Sequence, residues 1–127
     1  MDHKKPSLRP LSDDGMILSK AFLRAGDILG LTQKEMAHVI GKSEPTISRL
    51  ANHSLTLEPQ NKEGEIALVF LRLYRSLDAL FGGQERDIRA WFSSANRDLS
   101  GVPKELIRSL QGLFHVVNYL DAQRAKI

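Results

Sequence analysis

Cysteine is absent from this chain of 127 residues. The absence excludes a disulfide scaffold, a thiolate zinc site and a cysteine nucleophile, and it fits a reducing compartment. Long apolar runs are also missing, since the longest extends from Ile66 to Leu71, whereas a membrane-spanning helix needs ~20 such residues. Residues 1–10 are polar and lack the apolar core of a secretory signal. These absences predict a cytoplasmic protein without a membrane partner.

Charge of one sign does not dominate either. The chain has 18 lysines and arginines against 15 acidic residues, which gives a net charge of +3. This small basic excess permits nucleic-acid binding but does not establish it. With 42% apolar residues, the composition is that of a globular protein, and the length suits one ordinary domain or two small ones that share a core.

Apolar residues recur at helical spacing, and no alternating run is long enough to predict a strand, so the expected fold is all-α. Residues 1–11 contain two prolines and are expected to form a flexible tail. Ser12 or Asp13 can cap the first helix, Ile17 begins its inner apolar stripe, and Gly30 is expected to end it. This helix opens a predicted helix-turn-helix domain, followed by a linker.

The strongest helical periodicity lies in residues 62–82. Leu68 and Leu71 stand outside its main apolar stripe, and a helix that is apolar on more than one face is typically buried between layers or lies in a subunit interface. We therefore expect this helix to connect the domain at residues 12–61 with a small lobe at residues 83–127. We also expect Leu68 and Leu71 to contribute to a homodimer.

The lobe is expected to be helical as well. A short helix should carry Trp91, and Pro103 should begin another that extends to Leu110. Gly112 is expected to interrupt the chain before the last helix. Trp91 and Phe114 are expected to form part of the lobe's own core, although aromatic residues also anchor interfaces.

A helix-turn-helix pattern occupies residues 31–50. Thr32 and Glu35 have the spacing of a capping box at the start of its first helix, and Gly41 can form the turn. The second helix would place its N-terminal end toward the major groove of DNA. Candidate DNA-contacting residues are Gln33, Lys34, Lys42, Ser43, Glu44, Thr46, Ser48 and Arg49.

Two of these residues bear on specificity. Arg49 can contact guanine with both arms of its guanidinium group or bind a phosphate. Glu44 would face a polyanion unless it accepts a hydrogen bond from a cytosine amine. The same pattern also fits a helical hairpin whose polar face is merely solvated, so DNA binding and a structural role both remain open.

Motifs for catalysis are weak. Gly41, Lys42 and Ser43 look like the end of a phosphate-binding loop, but that motif requires glycine where Met36 stands, and a preceding strand. The four histidines lack metal-ligand spacing, and no serine lies in a Gly-x-Ser-x-Gly turn. We therefore expect no enzyme, no cofactor and no metal.

Residues 31–50 resemble the helix-turn-helix of Xre/Cro-type repressors. A second pattern follows in the C-terminal half, and it consists of Trp91, Asn96, Leu99, Gly101, Pro103 and Leu106, continued by Leu110, Gly112, Val116 and Leu120. This order is similar to the signature of the Xre/MbcA/ParS antitoxin family. The resemblance extends over about residues 15–127.

The resemblance implies an antitoxin of a bacterial type II toxin–antitoxin pair, which dimerises, represses its own operon and blocks its toxin with the C-terminal part. The usual partner is a RES-domain toxin, an NAD-consuming, ADP-ribosyltransferase-like enzyme encoded by the neighbouring gene. Expected toxin-facing residues are Arg89, Trp91, Asn96, Arg97, Arg108, Tyr119, Arg124, Lys126 and Ile127. Two alternatives stay open: a plain DNA-binding repressor, and a protein-interaction module with a vestigial helix-turn-helix.

Overall fold

The computed structural model describes residues 12–126, which form seven α-helices and no strand. The helices are α1 (Asp13–Leu29), α2 (Gln33–Ile40), α3 (Glu44–Ala51), α4 (Lys62–Leu80), α5 (Glu85–Ser93), α6 (Pro103–Leu106) and α7 (Leu110–Ala125). The prediction of an all-α fold is confirmed. The tail predicted for residues 1–11 and the toxin-facing residue Ile127 lie outside the described residues.

Local capping sets the ends of α1 and α2. The Ser12 hydroxyl accepts a hydrogen bond from the Gly15 amide at 2.8 Å, and Gly30 ends α1 in the left-handed conformation with φ 78°. The Thr32 hydroxyl accepts from the Glu35 amide at 3.1 Å, while the Glu35 carboxylate accepts from the Thr32 amide at 2.8 Å. This confirms the predicted capping box. The short turns then bring α2 against α3 as a helix-turn-helix pair.

One apolar core connects this pair with the rest of the chain. Helix α4 contacts α1, α2, α5 and α7, so it lies at the centre. Phe70 of α4 packs edge to face against Phe22 of α1, with ring centroids 5.3 Å apart. The same buried cluster includes Ile47 of α3, Ile88 of α5 and Leu120 of α7. The two predicted halves therefore share a single core.

Some predicted core positions face solvent instead. Ile17 is 66% exposed, and the buried stripe of α1 passes through Leu18 and Phe22. Phe114 is 43% exposed and Leu110 is 49% exposed, so the prediction of a core role for Phe114 is wrong. Apolar spacing identifies a helix, but the neighbouring helices decide which of two adjacent apolar stripes is covered.

The prediction that Gly112 interrupts the helix is also wrong. Helix α6 ends at Leu106, earlier than expected, and Gly112 lies inside the first turn of α7. Its amide donates to the Ser109 hydroxyl at 3.0 Å. A Cβ atom at this position would clash with the backbone carbonyl group of Leu106. Glycine is needed here because α7 begins directly against the end of α6.

Candidate functional site

Helix α3 presents a polar face away from the core. Its apolar residues Ile47 and Leu50 are each only 1% exposed and hold it against the other helices. Glu44, Ser48 and Arg49 are exposed on the remaining surface. A helix anchored on one side and polar on the other has the form required to enter a DNA groove.

Hydrogen bonds connect several of the predicted DNA-facing residues. The Ser48 hydroxyl donates to Gln33 Oε1 at 3.2 Å, which links α3 to the first residue of α2. The hydroxyl oxygens of Ser43 and Thr46 lie 3.0 Å apart at the start of α3. The structure therefore brings these four side chains together in two pairs at the helix-turn-helix.

The basic residues of this unit are exposed. Lys34 and Lys42 lie on α2 and in the turn after it, and Arg49 lies in the last turn of α3. Lys42 Nζ is 3.9 Å from a Glu63 carboxylate oxygen. An exposed ion pair of this kind contributes about 0–1 kcal/mol, so the lysine is able to exchange this partner for a phosphate.

The sequence predicts only a linker for the segment after α3. In the structure Asn52, His53 and Ser54 form an exposed turn directly beyond α3, and His53 has φ 66°. The Ser54 amide donates to the Arg49 carbonyl oxygen at 3.0 Å. This turn therefore ends α3 on the exposed side of the helix-turn-helix unit.

In the C-terminal part, three predicted toxin-facing residues lie close together. The rings of Trp91 and Tyr119 stack at 15°, with centroids 6.4 Å apart. The Tyr119 hydroxyl donates to an Asp98 carboxylate oxygen at 3.1 Å, and Asn96 Oδ1 accepts from the Leu99 amide at 3.0 Å. We refer to Trp91, Asn96, Asp98 and Tyr119 as the aromatic platform. Asp98 was not predicted as part of this site; its negative charge two residues after the signature asparagine Asn96 was the available signal.

The aromatic platform shifts the pKa of Tyr119. Burial, the hydrogen bond to Asp98 and the charge of that carboxylate raise the pKa of Tyr119 above its usual value. The folded chain therefore favours the neutral phenol. The resulting stabilisation is complete below the ordinary tyrosine pKa of about 10 and is lost as the pH rises through the folded-state pKa.

This effect can be measured in a Tyr74→Phe background, which leaves Tyr119 as the one tyrosine of the chain. Asp98→Asn should lower the pKa of Tyr119, because it removes the negative charge and the charged acceptor. Tyrosinate absorbance during an alkaline titration gives the midpoint. An equal midpoint with and without Asp98 would show that burial alone sets this pKa.

Other predicted toxin-facing cations are engaged within the chain. Arg89 Nε donates to the Ile28 carbonyl oxygen at 2.6 Å, and its Nη2 donates to the Asp27 carbonyl oxygen at 2.9 Å. A cation at the C-terminal end of a helix is favourable, so Arg89 fastens α5 to the end of α1. Arg124 Nη1 donates to the Ser76 hydroxyl at 3.3 Å. Sequence spacing carried no signal of these long-range contacts.

The remaining predicted cations differ in their surroundings. Arg97 and Lys126 are exposed. Arg108 is also exposed, but its Nε donates to His38 Nδ1 of α2 at 3.1 Å. Among residues 12–126, no group of three or more histidines and carboxylates could hold a metal ion. None of the helices in this range is long and apolar enough to cross a membrane.

Two apolar grooves border α4. Between α1 and α4, a groove is lined by Ile17, Leu68 and Leu71, and between α4 and α7 another is lined by Leu110 and Phe114, among others. Of the two residues predicted for a dimer, Leu68 is 43% exposed, whereas Leu71 is buried in the core of the chain. Leu68 therefore offers the larger apolar surface to another chain.

Comparison with protein families accounts for both parts of the chain. Residues 11–72 match the antitoxin Xre-like helix-turn-helix domain, and residues 76–126 match the antitoxin Xre/MbcA/ParS C-terminal toxin-binding domain. Comparison with curated proteins gave no significant match. The expected resemblance is thus confirmed by two domains in the expected order. The chain belongs to the Xre/MbcA/ParS family of antitoxins, with a helix-turn-helix domain followed by a toxin-binding domain.

Proposed function

We propose that this antitoxin neutralises a RES-domain toxin, an NAD-consuming, ADP-ribosyltransferase-like enzyme encoded by the neighbouring gene, and that it represses its own operon as a homodimer. The observation that carries the proposal is the presence of a helix-turn-helix domain and a toxin-binding domain in one chain. The choice of a RES-domain partner rests on the family resemblance of the sequence.

On the toxin side, the proposed mechanism is steric. The aromatic platform supplies rings held in a fixed orientation, and such rings are typical anchors of protein interfaces. The half-exposed Phe114 adds apolar area, and Arg97 and Lys126 add charge. An antitoxin seated in the toxin's cleft excludes NAD, so it needs no reactive group of its own.

Co-expression with the neighbouring gene tests this part. If one of the two proteins is tagged, we expect a stable complex and relief of the growth arrest that the toxin causes alone. Truncation is a poor probe, because α7 supplies Leu113 and Leu120 to the shared core. Absence of both complex and rescue, with operator binding intact, would leave a plain DNA-binding repressor.

On the DNA side, a two-fold dimer would place its two α3 helices about 34–36 Å apart, or a multiple of that, on a palindromic operator. The groove that contains Leu68 is our candidate for the dimer contact. The exposed polar face of α3 would then read base edges, while Gln33 and Lys34 at the start of α2 contact the phosphate backbone.

Arg49→Ala should weaken operator binding by roughly 1–3 kcal/mol, because it removes the side chain best suited to guanine. The affinity for DNA from upstream of the gene can be measured by fluorescence anisotropy. Arg97→Ala removes an exposed cation of the toxin-binding domain and is the matched control. Equal affinities for Arg49→Ala and the unmodified chain would remove Arg49 from the set of base contacts. Toxin neutralisation should survive in Arg49→Ala.

One observation favours the alternative of an interaction module with a vestigial helix-turn-helix. Glu44 is exposed in the first turn of α3, where it would approach the phosphate backbone. A gel shift at increasing salt separates the two functions, since phosphate contacts give a steep loss of affinity with salt. No salt-dependent shift at micromolar protein would support the alternative.

A further inference from the structure

Two basic residues of the toxin-binding domain approach α2 of the helix-turn-helix domain: Lys104 lies in α6, and Arg108 lies in the turn between α6 and α7. Lys104 Nζ lies 3.5 Å from a Glu35 carboxylate oxygen, and Arg108 Nε donates to His38 Nδ1 at 3.1 Å. These residues border a surface crevice between α2 and α6. The α2/α6 crevice is lined by Lys34, Glu35, His38, Lys104, Glu105 and Arg108.

The crevice continues the surface that we expect to face DNA. Lys34 follows Gln33, whose side chain accepts a hydrogen bond from Ser48 of α3. When α3 lies in the major groove, the start of α2 meets the phosphates at the groove's edge. Lys104 and Arg108 therefore line the same crevice as Lys34, a predicted phosphate contact.

The charges in the crevice favour a polyanion. It holds three cations and two carboxylates, and one carboxylate, Glu35, is already engaged by the Thr32 amide and by Lys104. Arg108 Nε donates to an imidazole nitrogen of His38 and not to a carboxylate, so this contact does not offset the positive charge of the guanidinium group. Glu105 is the one acidic side chain that would oppose a phosphate here.

We propose that Lys104 and Arg108 contact the phosphate backbone of operator DNA, so that the toxin-binding domain extends the DNA interface beyond the helix-turn-helix domain. This inference rests on the proposed operator binding. The added contacts carry no base information, since phosphates are the same along every sequence. They raise affinity for the operator and for unrelated duplex DNA alike.

The test measures DNA affinity as a function of salt for Lys104→Ala, Arg108→Ala and the double variant. Each substitution should reduce the slope of log affinity against log salt by about 0.9 for each bound protomer, with a similar loss on operator and unrelated duplex. Lys126→Ala is the control of equal charge in the same domain. Lys126 lies at the far end of α7, about 24 Å along the helix from Leu110. Its substitution should leave the slope of log affinity against log salt unchanged.

Two further variants separate phosphate contact from a structural role. Arg108→Lys keeps the positive charge but loses the Nε–H group that His38 accepts, so it should retain most of the salt slope. Glu105→Gln removes the opposing carboxylate and should tighten binding. Unfolding midpoints show whether each variant is folded.

The outcomes distinguish this inference from the proposed function. Unchanged slopes in the double variant, or a slope in Arg108→Lys as low as in Arg108→Ala, would overturn the inference while operator binding stands. An unmodified chain without salt-dependent operator binding would overturn both. In that case toxin neutralisation is tested independently by co-expression.

Discussion

Phe70→Ala should lower the free energy of unfolding by about 3–5 kcal/mol, a range typical of a buried phenylalanine replaced by alanine. The side chain is completely buried in the central helix α4 and packs against Phe22 of α1. The free energy of unfolding of a small domain is only about 5–15 kcal/mol, so this substitution would remove much of it. Denaturant titration measures this change. Operator and toxin binding should fall together, because both domains depend on the same core.

Phe114→Ala is the matched control. Its ring is 43% exposed in the groove between α4 and α7, so the free energy of unfolding should change by about 1 kcal/mol or less. Operator binding should persist in this variant. If Phe70→Ala lost one binding activity and kept the other, the two domains would have separable cores, contrary to the structure.

Gly112→Ala should destabilise the chain by about 1–3 kcal/mol, the usual cost of overpacking, although helix propensity alone favours alanine by about 1 kcal/mol. The new Cβ would lie 2.7 Å from the carbonyl carbon of Leu106. Because this neighbour is backbone, α6 and α7 must separate. The shift of the thermal unfolding midpoint shows whether Gly112→Ala stabilises or destabilises the chain. Gln111→Ala, at the exposed neighbouring position of the same helix, should have little effect.

Gly112→Ala should also weaken toxin binding, because α6 and α7 belong to the matched toxin-binding domain. A rise in the unfolding temperature of this variant would mean that helix propensity outweighs the close approach. The contact between α6 and α7 would then be softer than the structure indicates.

Local chemistry made the helix ends predictable from the sequence. A capping box needs only Thr32 and Glu35, three residues apart, and a glycine such as Gly30 or Gly41 ends a helix through its own backbone freedom. The polar face of α3 was also predictable, because Ile47 and Leu50 fix which side of the helix is buried.

Contacts between distant residues were not predictable in this way. The pairing of Lys104 with Glu35, the stacking of Trp91 on Tyr119 and the capping of α1 by Arg89 all depend on how helices pack. The same limit explains the errors at Ile17 and Phe114. Each lies on a helix whose apolar residues cover more than one stripe, and single-sequence spacing cannot choose between stripes.

The continuity of α4 restricts how toxin specificity can pass between antitoxins by recombination. The two family matches meet around residues 73–75, in the middle of this helix. Arg72 before the junction pairs with Asp121 beyond it, and Phe70 belongs to the same core as residues of α7. A chimaera joined at the junction would set one antitoxin's α4 surface against a foreign α7. We therefore expect an exchange of toxin partner to succeed only when α4 and α7 are transferred together.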